Sequence, residues 1–183
     1  MILESTMASI YEKRPWLKNY PDQVPHDLDL TNETALGDFK KSATLNPGAP
    51  AIHYFDHEIS FNQVDRFSDQ LAAAFEDLGL QKGDRIILDL QNVPQFPIAA
   101  YAAWKLGAIV VPVNPMYKET ELAYFCRDSG ARLFLTLDEI ASNLDLSFFE
   151  NTSLERLITT SPLDFIPPGA NPPALLKSAR KIT

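Results

Sequence analysis

The sequence predicts an α/β fold, a mostly parallel sheet with helices on both faces, and three observations carry that prediction. Short apolar runs centred on Ile86, Ile109, Leu133 and Leu157 recur at nearly even intervals. Each interval holds one stretch of helical character, and Gly107 and Gly130 stop the first two. The runs are nearly continuous in apolar residues, as strands are when both faces are covered. Strands joined by crossovers of that length pair in parallel, with right-handed connections.

The first 33 residues precede this rhythm. They contain Pro15, Pro21 and Pro25 among Tyr11, Trp16 and Tyr20, follow neither the helical nor the strand period, and read as an extended N-terminal arm. Three large aromatics favour partial docking of the arm, because disordered segments are poor in them. The α/β subdomain proper is placed at 34–160. Leu36, Phe39 and Ala43 have helical spacing and stop at Asn46-Pro47-Gly48. "AIHYF" and "EISF", separated by Asp56 and His57, read as a hairpin.

The helix that follows is the best specified element. Ser60 and Gln63 make a capping box, and Val64, Phe67, Leu71, Phe75 and Leu78 form one apolar stripe up to Gly79. Then come "RIILDL" as strand, "PQFPIAAYAAWKL" as helix, "AIVVPV" as strand, "ETELAYFCRDS" as helix and "RLFLT" as strand. A weaker helical stretch near "LDEIASNLDLSFF" leads to a last strand, "RLITT". Residues 161–183, opening with "SPLDFIPPGANPP", read as a Pro-rich linker and the start of a truncated segment with a short cationic, helix-like end.

Composition narrows the function classes. With 183 residues and 45% hydrophobic content, the chain is long enough for one full core. A formal charge of -8, with the sixteen Lys and Arg residues scattered, argues against nucleic acid as a partner. The single cysteine, Cys126, has no partner for a disulfide or a metal site and reads as a small apolar residue on a helix, in keeping with a reducing cytoplasm. The N-terminus lacks a basic segment followed by an apolar one, so no signal peptide is read. The apolar stretch from Phe96 to Val113 has bilayer length, but Lys105 and Gly107 divide it into helix, stop and strand, so no transmembrane segment is expected.

Few residues stand in patterns that carry chemistry. No glycine follows "RIILDL", where a dinucleotide fingerprint would need one, and the "GLQKGD" glycines precede a strand instead of following it. His26, His53 and His57 lack metal-ligand spacing, and no serine sits in a nucleophile elbow. Glu119, Glu121 and Asp128 can be imagined as acid-base partners, but Glu119 and Glu121 fall in a helix's first turn, where the macrodipole favours negative charge. Asp89, inside "ILDL", reads either as an acid at a strand's carboxyl end or as a carboxylate bonded to nearby loop amides. Asn114 and Tyr117, in the corner after "VVPV", read as turn-fixing residues or as residues facing other segments.

From Lys82 to Thr136 several pieces stand in fixed order: "KGDR", Asn92-x-Pro94, the alanine-spaced helix ending in "KLGA", "VPVNP", Tyr117-x-x-x-Glu121-Leu122 and "DSGAR". In this the chain resembles the N-terminal region of adenylate-forming acyl-CoA synthetases of the AMP-binding superfamily, especially long-chain fatty acid-CoA ligases. Weaker likeness extends back to "PWLKNYP" and forward to "RLITT". Lys118 departs from the pattern, since such sequences often carry a better helix cap there.

The resemblance implies an incomplete N-terminal subdomain of the adenylate-forming fold. It implies that the full-length enzyme uses ATP and magnesium to convert a long-chain fatty acid to acyl-AMP, and then transfers the acyl group to CoA. The family's Ser/Thr/Gly-rich loop ending in Lys-Gly, its later Tyr-Gly-x-Thr-Glu-like motif and its C-terminal lysine match no position in this sequence, so no catalytic, cofactor-binding or metal-binding residue is assigned.

The expectation is therefore an N-terminal fragment, inactive alone and binding no cofactor, whose main partner is the remainder of the enzyme. An exposed apolar face would favour a homodimer, and the full-length enzyme would be cytoplasmic with peripheral membrane contact. The alternative is a stand-alone, non-catalytic α/β module for binding or dimerisation.

Overall fold

A computed structural model describes residues 11–27 and 34–167, which belong to two compact units, Met1–Glu33 and Thr34–Thr183. In the second unit, α1 spans Ala35–Leu45, β1 Pro50–Tyr54, β2 His57–Ser60, α2 Phe61–Asp77, β3 Arg85–Asp89, α3 Gln95–Lys105, β4 Ile109–Pro112, α4 Glu119–Ser129, β5 Leu133–Leu137, α5 Asp138–Ala141 and β6 Arg156–Thr160. β1 and β2 form the predicted antiparallel hairpin, and the other strands form a four-stranded parallel sheet in the order β4-β3-β5-β6.

That order fixes where the helices lie. The chain leaves β3 to one side through α3, then returns past it to β5 through α4. Right-handed crossovers running in opposite directions must cover opposite faces. Accordingly Ile86, Leu88, Leu133 and Leu135 pack with Phe75 of α2 and with Ala99, Ala102 and Ala103 of α3. Ile87 and Phe134, one residue out of phase, meet Leu122 and Cys126 of α4. The alanines of α3 let that helix approach the sheet closely. α1 joins the first layer through Phe39, whose ring stacks on Tyr101 at 3.9 Å.

Local chemistry sets the element ends. Ser60 Oγ accepts the Gln63 N–H at 3.3 Å, and Gln63 Oε1 accepts the Ser60 N–H at 2.8 Å, which completes the capping box. Glu121 accepts the Lys118 N–H at 2.9 Å, but an ammonium has no lone pair to return to the helix, so only half a box forms at α4. α4 ends at Gly130, with φ 59°, where an added Cβ would lie 2.5 Å from the Arg85 guanidinium. Arg85 needs that space: Nε donates to the Ser129 carbonyl at 2.6 Å and Nη2 to the Gly130 carbonyl at 2.7 Å, closing the helix end.

Arg132 donates to the Gly79 carbonyl at 2.8 Å, to Asp84, and in a fork to Glu155 at 2.7 and 2.8 Å. Together Arg85 and Arg132 tie down the amino end of the sheet. Lys105 Nζ clamps α3 to α2 through Asp65 Oδ1 at 2.6 Å and Asp69 Oδ1 at 2.7 Å.

Two expectations need correction. The helix expected near "LDEIASNLDLSFF" is a single turn, Asp138–Ala141, followed by a 3-10 turn at Leu146–Phe149. Ser142 Oγ and Asn143 Nδ2 donate to the Asp138 and Glu139 carbonyls, both at 2.7 Å, and Asp145 caps Ser147 at 3.0 Å, so polar side chains compete with the helical ladder. In the first unit, Pro15–Asn19 forms a 3-10 helix instead of continuing an extended run. Arg14 pairs there with Asp27 at 2.7 Å, and Tyr11 meets Trp16 edge to face. Among the described residues no helix is long and apolar enough to cross a membrane.

Candidate functional site

All four parallel strands end at one cleft of ≈ 1040 Å³. Its walls are Leu90–Val93 after β3, Asn114–Glu119 after β4, Leu137 to Leu144 after β5, and Pro162 after β6, closed by Tyr54 and Phe55 of the hairpin. This is where open α/β sheets place ligands, beside the point at which strand order reverses.

The corner after β4 is a built turn. Asn114 Oδ1 accepts the Met116 N–H at 3.0 Å and its carbonyl accepts the Tyr117 N–H at 2.9 Å. Tyr117 then stacks on Phe125 of α4, 5.4 Å between ring centroids and 13° from parallel. Asn114 and Tyr117 thus fix the turn and also line the cleft. On the far wall the Tyr54 hydroxyl donates to the Pro162 carbonyl at 3.0 Å. Burial pushes that phenol above its ordinary pKa, so it stays neutral. Phe55, at φ 53°, holds the hairpin turn and is exposed.

Asp89 lies at the carboxyl end of β3 on the α4 side, 1% exposed. The loop amides read as its partners do not bond to it. Thr136, its register neighbour on β5, donates its hydroxyl to Oδ2 at 2.8 Å, and Oδ1 has no hydrogen-bond partner. Burial of the charge raises its pKa to about 6, and the Thr136 bond opposes that rise.

The remaining candidates do not converge. His53 Nδ1 lies 3.3 Å from Glu58 on the exposed hairpin, and His57 sits on β2. The His26 carbonyl, in the first unit, accepts from Arg14. Glu119 accepts the Asp145 N–H at 3.3 Å and Glu121 caps its own helix, so neither forms an acid-base pair with Asp128. Burial pushes the Cys126 thiol up to about 11, which leaves it a packed apolar residue.

The cleft does not fit a magnesium-bound triphosphate or CoA. Among the described residues its ionisable lining, Glu119 and Glu139 against Lys118, is net acidic, and no glycine lines it to admit a phosphate to backbone amides. Among the described residues no group of three or more His, Cys, Asp or Glu side chains could hold a metal ion. What the carboxamides of Asn92, Asn114 and Asn143 around an apolar floor can do is seat polypeptide or a neutral group. Reading the sequence alone missed Tyr54, Phe55 and Asn143, which reach the cleft only through tertiary folding. It also missed Thr136, whose signal was its register with Asp89.

Comparison with known proteins supplies the rest. Residues 39–172 match the family model described as AMP-binding enzyme. A long-chain-fatty-acid–CoA ligase of Bacillus subtilis is 34% identical over 155 residues, 85% of this chain and 28% of that ligase. A fatty acyl CoA synthetase of Mycobacterium tuberculosis superposes with a TM-score of 0.61 at 26% identity, covering 67% of this chain and 25% of that one. A long-chain-fatty-acid-CoA ligase of Archaeoglobus fulgidus has the same fold over 77% of this chain and 30% of its own, with a TM-score of 0.67 at 23% identity. The chain therefore spans less than a third of the length of these relatives, and it belongs to the AMP-binding enzyme family.

Proposed function

We propose that this chain is the amino-terminal α/β part of a long-chain fatty acid-CoA ligase, the enzyme that joins a fatty acid to CoA through an acyl-adenylate at the expense of ATP. The observation that carries the reading is the 34% identity to the Bacillus subtilis ligase across 85% of the chain. ATP, magnesium and CoA belong, in this reading, to the whole enzyme and not to the cleft described above. The chain's own contribution is a rigid wall: the turn fixed by Asn114, the Tyr117–Phe125 stack and the hairpin aromatics against which catalytic segments pack.

The same proposal divides the chain into an arm at 1–33, the subdomain at 34–160 and a linker at 161–183. It places the enzyme in the cytoplasm, with peripheral membrane contact suited to its fatty substrate. It also includes a homodimer through an apolar face, which light scattering of the purified chain tests: a monodisperse monomer at high concentration contradicts it.

The test of function is a chimaera in which residues 34–167 replace the matching segment of the Bacillus subtilis ligase. Retained acyl-CoA formation supports the reading. A folded chimaera without it overturns the reading in favour of a non-catalytic module.

A further inference from the structure

On the sheet face that carries α2 and α3, a second cavity of ≈ 390 Å³ lies between those helices and β5 and β6. Its apolar lining comes from Phe67, Leu71, Ile98, Leu135, Ile158 and Phe165. Gln70, Thr159 and Thr160 add polar groups to the lining, and one more polar side chain is buried there. Gln95, at the start of α3 and 6% exposed, lines the cavity, and its Oε1 is buried without a hydrogen-bond partner.

The orientation of that amide is not arbitrary. Gln95 Nε2 donates to the Ser161 carbonyl at 2.6 Å and to Thr160 Oγ1 at 3.1 Å. A carbonyl can only accept, so the NH2 end must face Ser161. Thr160 cannot turn round to serve Oε1, because its own hydroxyl donates to Asp164 Oδ2 at 2.9 Å, and the Ser161 N–H donates to the same oxygen. The Gln95–Thr160–Asp164 chain thus holds an acceptor at the wall of a largely apolar cavity, where neither Gln70 nor Thr159 donates to it. A buried amide oxygen in that position is destabilising until a donor arrives.

We propose that this cavity binds a neutral, largely apolar molecule whose one hydroxyl or amide N–H donates to Gln95 Oε1. The volume falls in the lower part of the range for small-molecule sites. Among the described residues the lining contains no Lys, Arg or His, so a carboxylate entering here meets a carbonyl oxygen and no counter-charge. The site therefore selects an alcohol or amide against the corresponding acid anion. This inference does not rest on the ligase reading, because it concerns a cavity apart from the cleft at the strand ends and a different ligand chemistry.

The experiment titrates the full, isotope-labelled chain at pH 8 with 1-octanol, octanoate and methyl octanoate, following the Gln95 side-chain amide and the Leu71 methyls by NMR. Expected are saturable shifts with 1-octanol and at least tenfold weaker binding of octanoate, which is charged, and of methyl octanoate, which has no donor. Leu71→Trp, which fills the cavity from the α2 side, should abolish the shifts. Gln95→Met should keep apolar binding but bring 1-octanol and methyl octanoate within about threefold of one another, while octanoate, still without a counter-charge, stays weaker. Equal binding of all three by the unaltered chain, octanol shifts that survive Leu71→Trp, or no saturable shift up to the solubility of octanol each overturn the proposal. The last result would mean that Oε1 is served by a trapped water only.

Discussion

Replacing Asp89 with asparagine should stabilise this protein at neutral pH. The carboxyl is 1% exposed, one of its oxygens has no partner, and the other accepts a hydrogen bond from Thr136. Burial raises the folded-state pKa to about 6 from the ordinary 3.8. A group whose pKa is raised on folding holds its proton more tightly in the folded state, so its contribution is most favourable below pH 4. That contribution declines as pH rises from about 4 to about 6 and stays at its low value above.

The difference between those pKa values corresponds to about 3 kcal/mol. Asparagine keeps the shape, and its oxygen can still accept from Thr136, without the charge. At pH 8 Asp89→Asn should therefore gain up to about 3 kcal/mol, or a Tm higher by about 6–12 °C for a chain of this size. Near pH 4 the gain should vanish. Urea denaturation of both proteins at pH 4, 5, 6, 7 and 8 gives the difference directly, and groups unaffected by the substitution cancel in it. A difference that does not change with pH, or a wild-type protein that is the more stable at pH 8, would refute the account of Asp89 as a buried, poorly compensated charge.

Cys126, fully buried with its pKa pushed up to about 11, should resist thiol reagents at pH 8 until urea unfolds the chain. Rapid labelling of the native protein would contradict its place between β3, β5 and α4. Gly130→Ala should lose about 1–3 kcal/mol in urea unfolding, because φ 59° and the Arg85 guanidinium 2.5 Å from the new Cβ both oppose it. A neutral result would mean that Arg85 is free to move from the α4 terminus. The purified chain, given palmitate, ATP, magnesium and CoA, should form no palmitoyl-CoA detectable by mass spectrometry; turnover that survives repurification contradicts the placement of the catalytic groups elsewhere.

What could be read from the sequence follows from how local each signal is. The Ser60–Gln63 box, the stripe from Val64 to Phe75 and the stop at Gly130 involve residues within a few turns of one another, and the structure repeats them. The parallel sheet was legible because most strands are nearly continuous apolar runs between crossovers. The order β4-β3-β5-β6 was not, since nothing along the chain states which way each crossover turns.

The Asp89–Thr136 bond joins residues 47 apart and depends on the β3–β5 register. The stretch after Leu137 misled because its apolar spacing is helical, while Ser142, Asn143 and Asp145 spend their side chains on nearby backbone groups. Gln95 is a lone amide at the head of the otherwise apolar "QFPIAAYAAW" helix, but its role depends on Ser161, 66 residues away.

The measurement that tests the central claim most directly is palmitoyl-CoA formation by the Bacillus subtilis ligase carrying residues 34–167 of this chain in place of its own matching segment. The account predicts a folded enzyme whose kcat/KM for palmitate lies within about a hundredfold of the parent, a transition-state loss of less than about 3 kcal/mol. A chimaera that unfolds cooperatively like the parent yet makes no palmitoyl-CoA would contradict it.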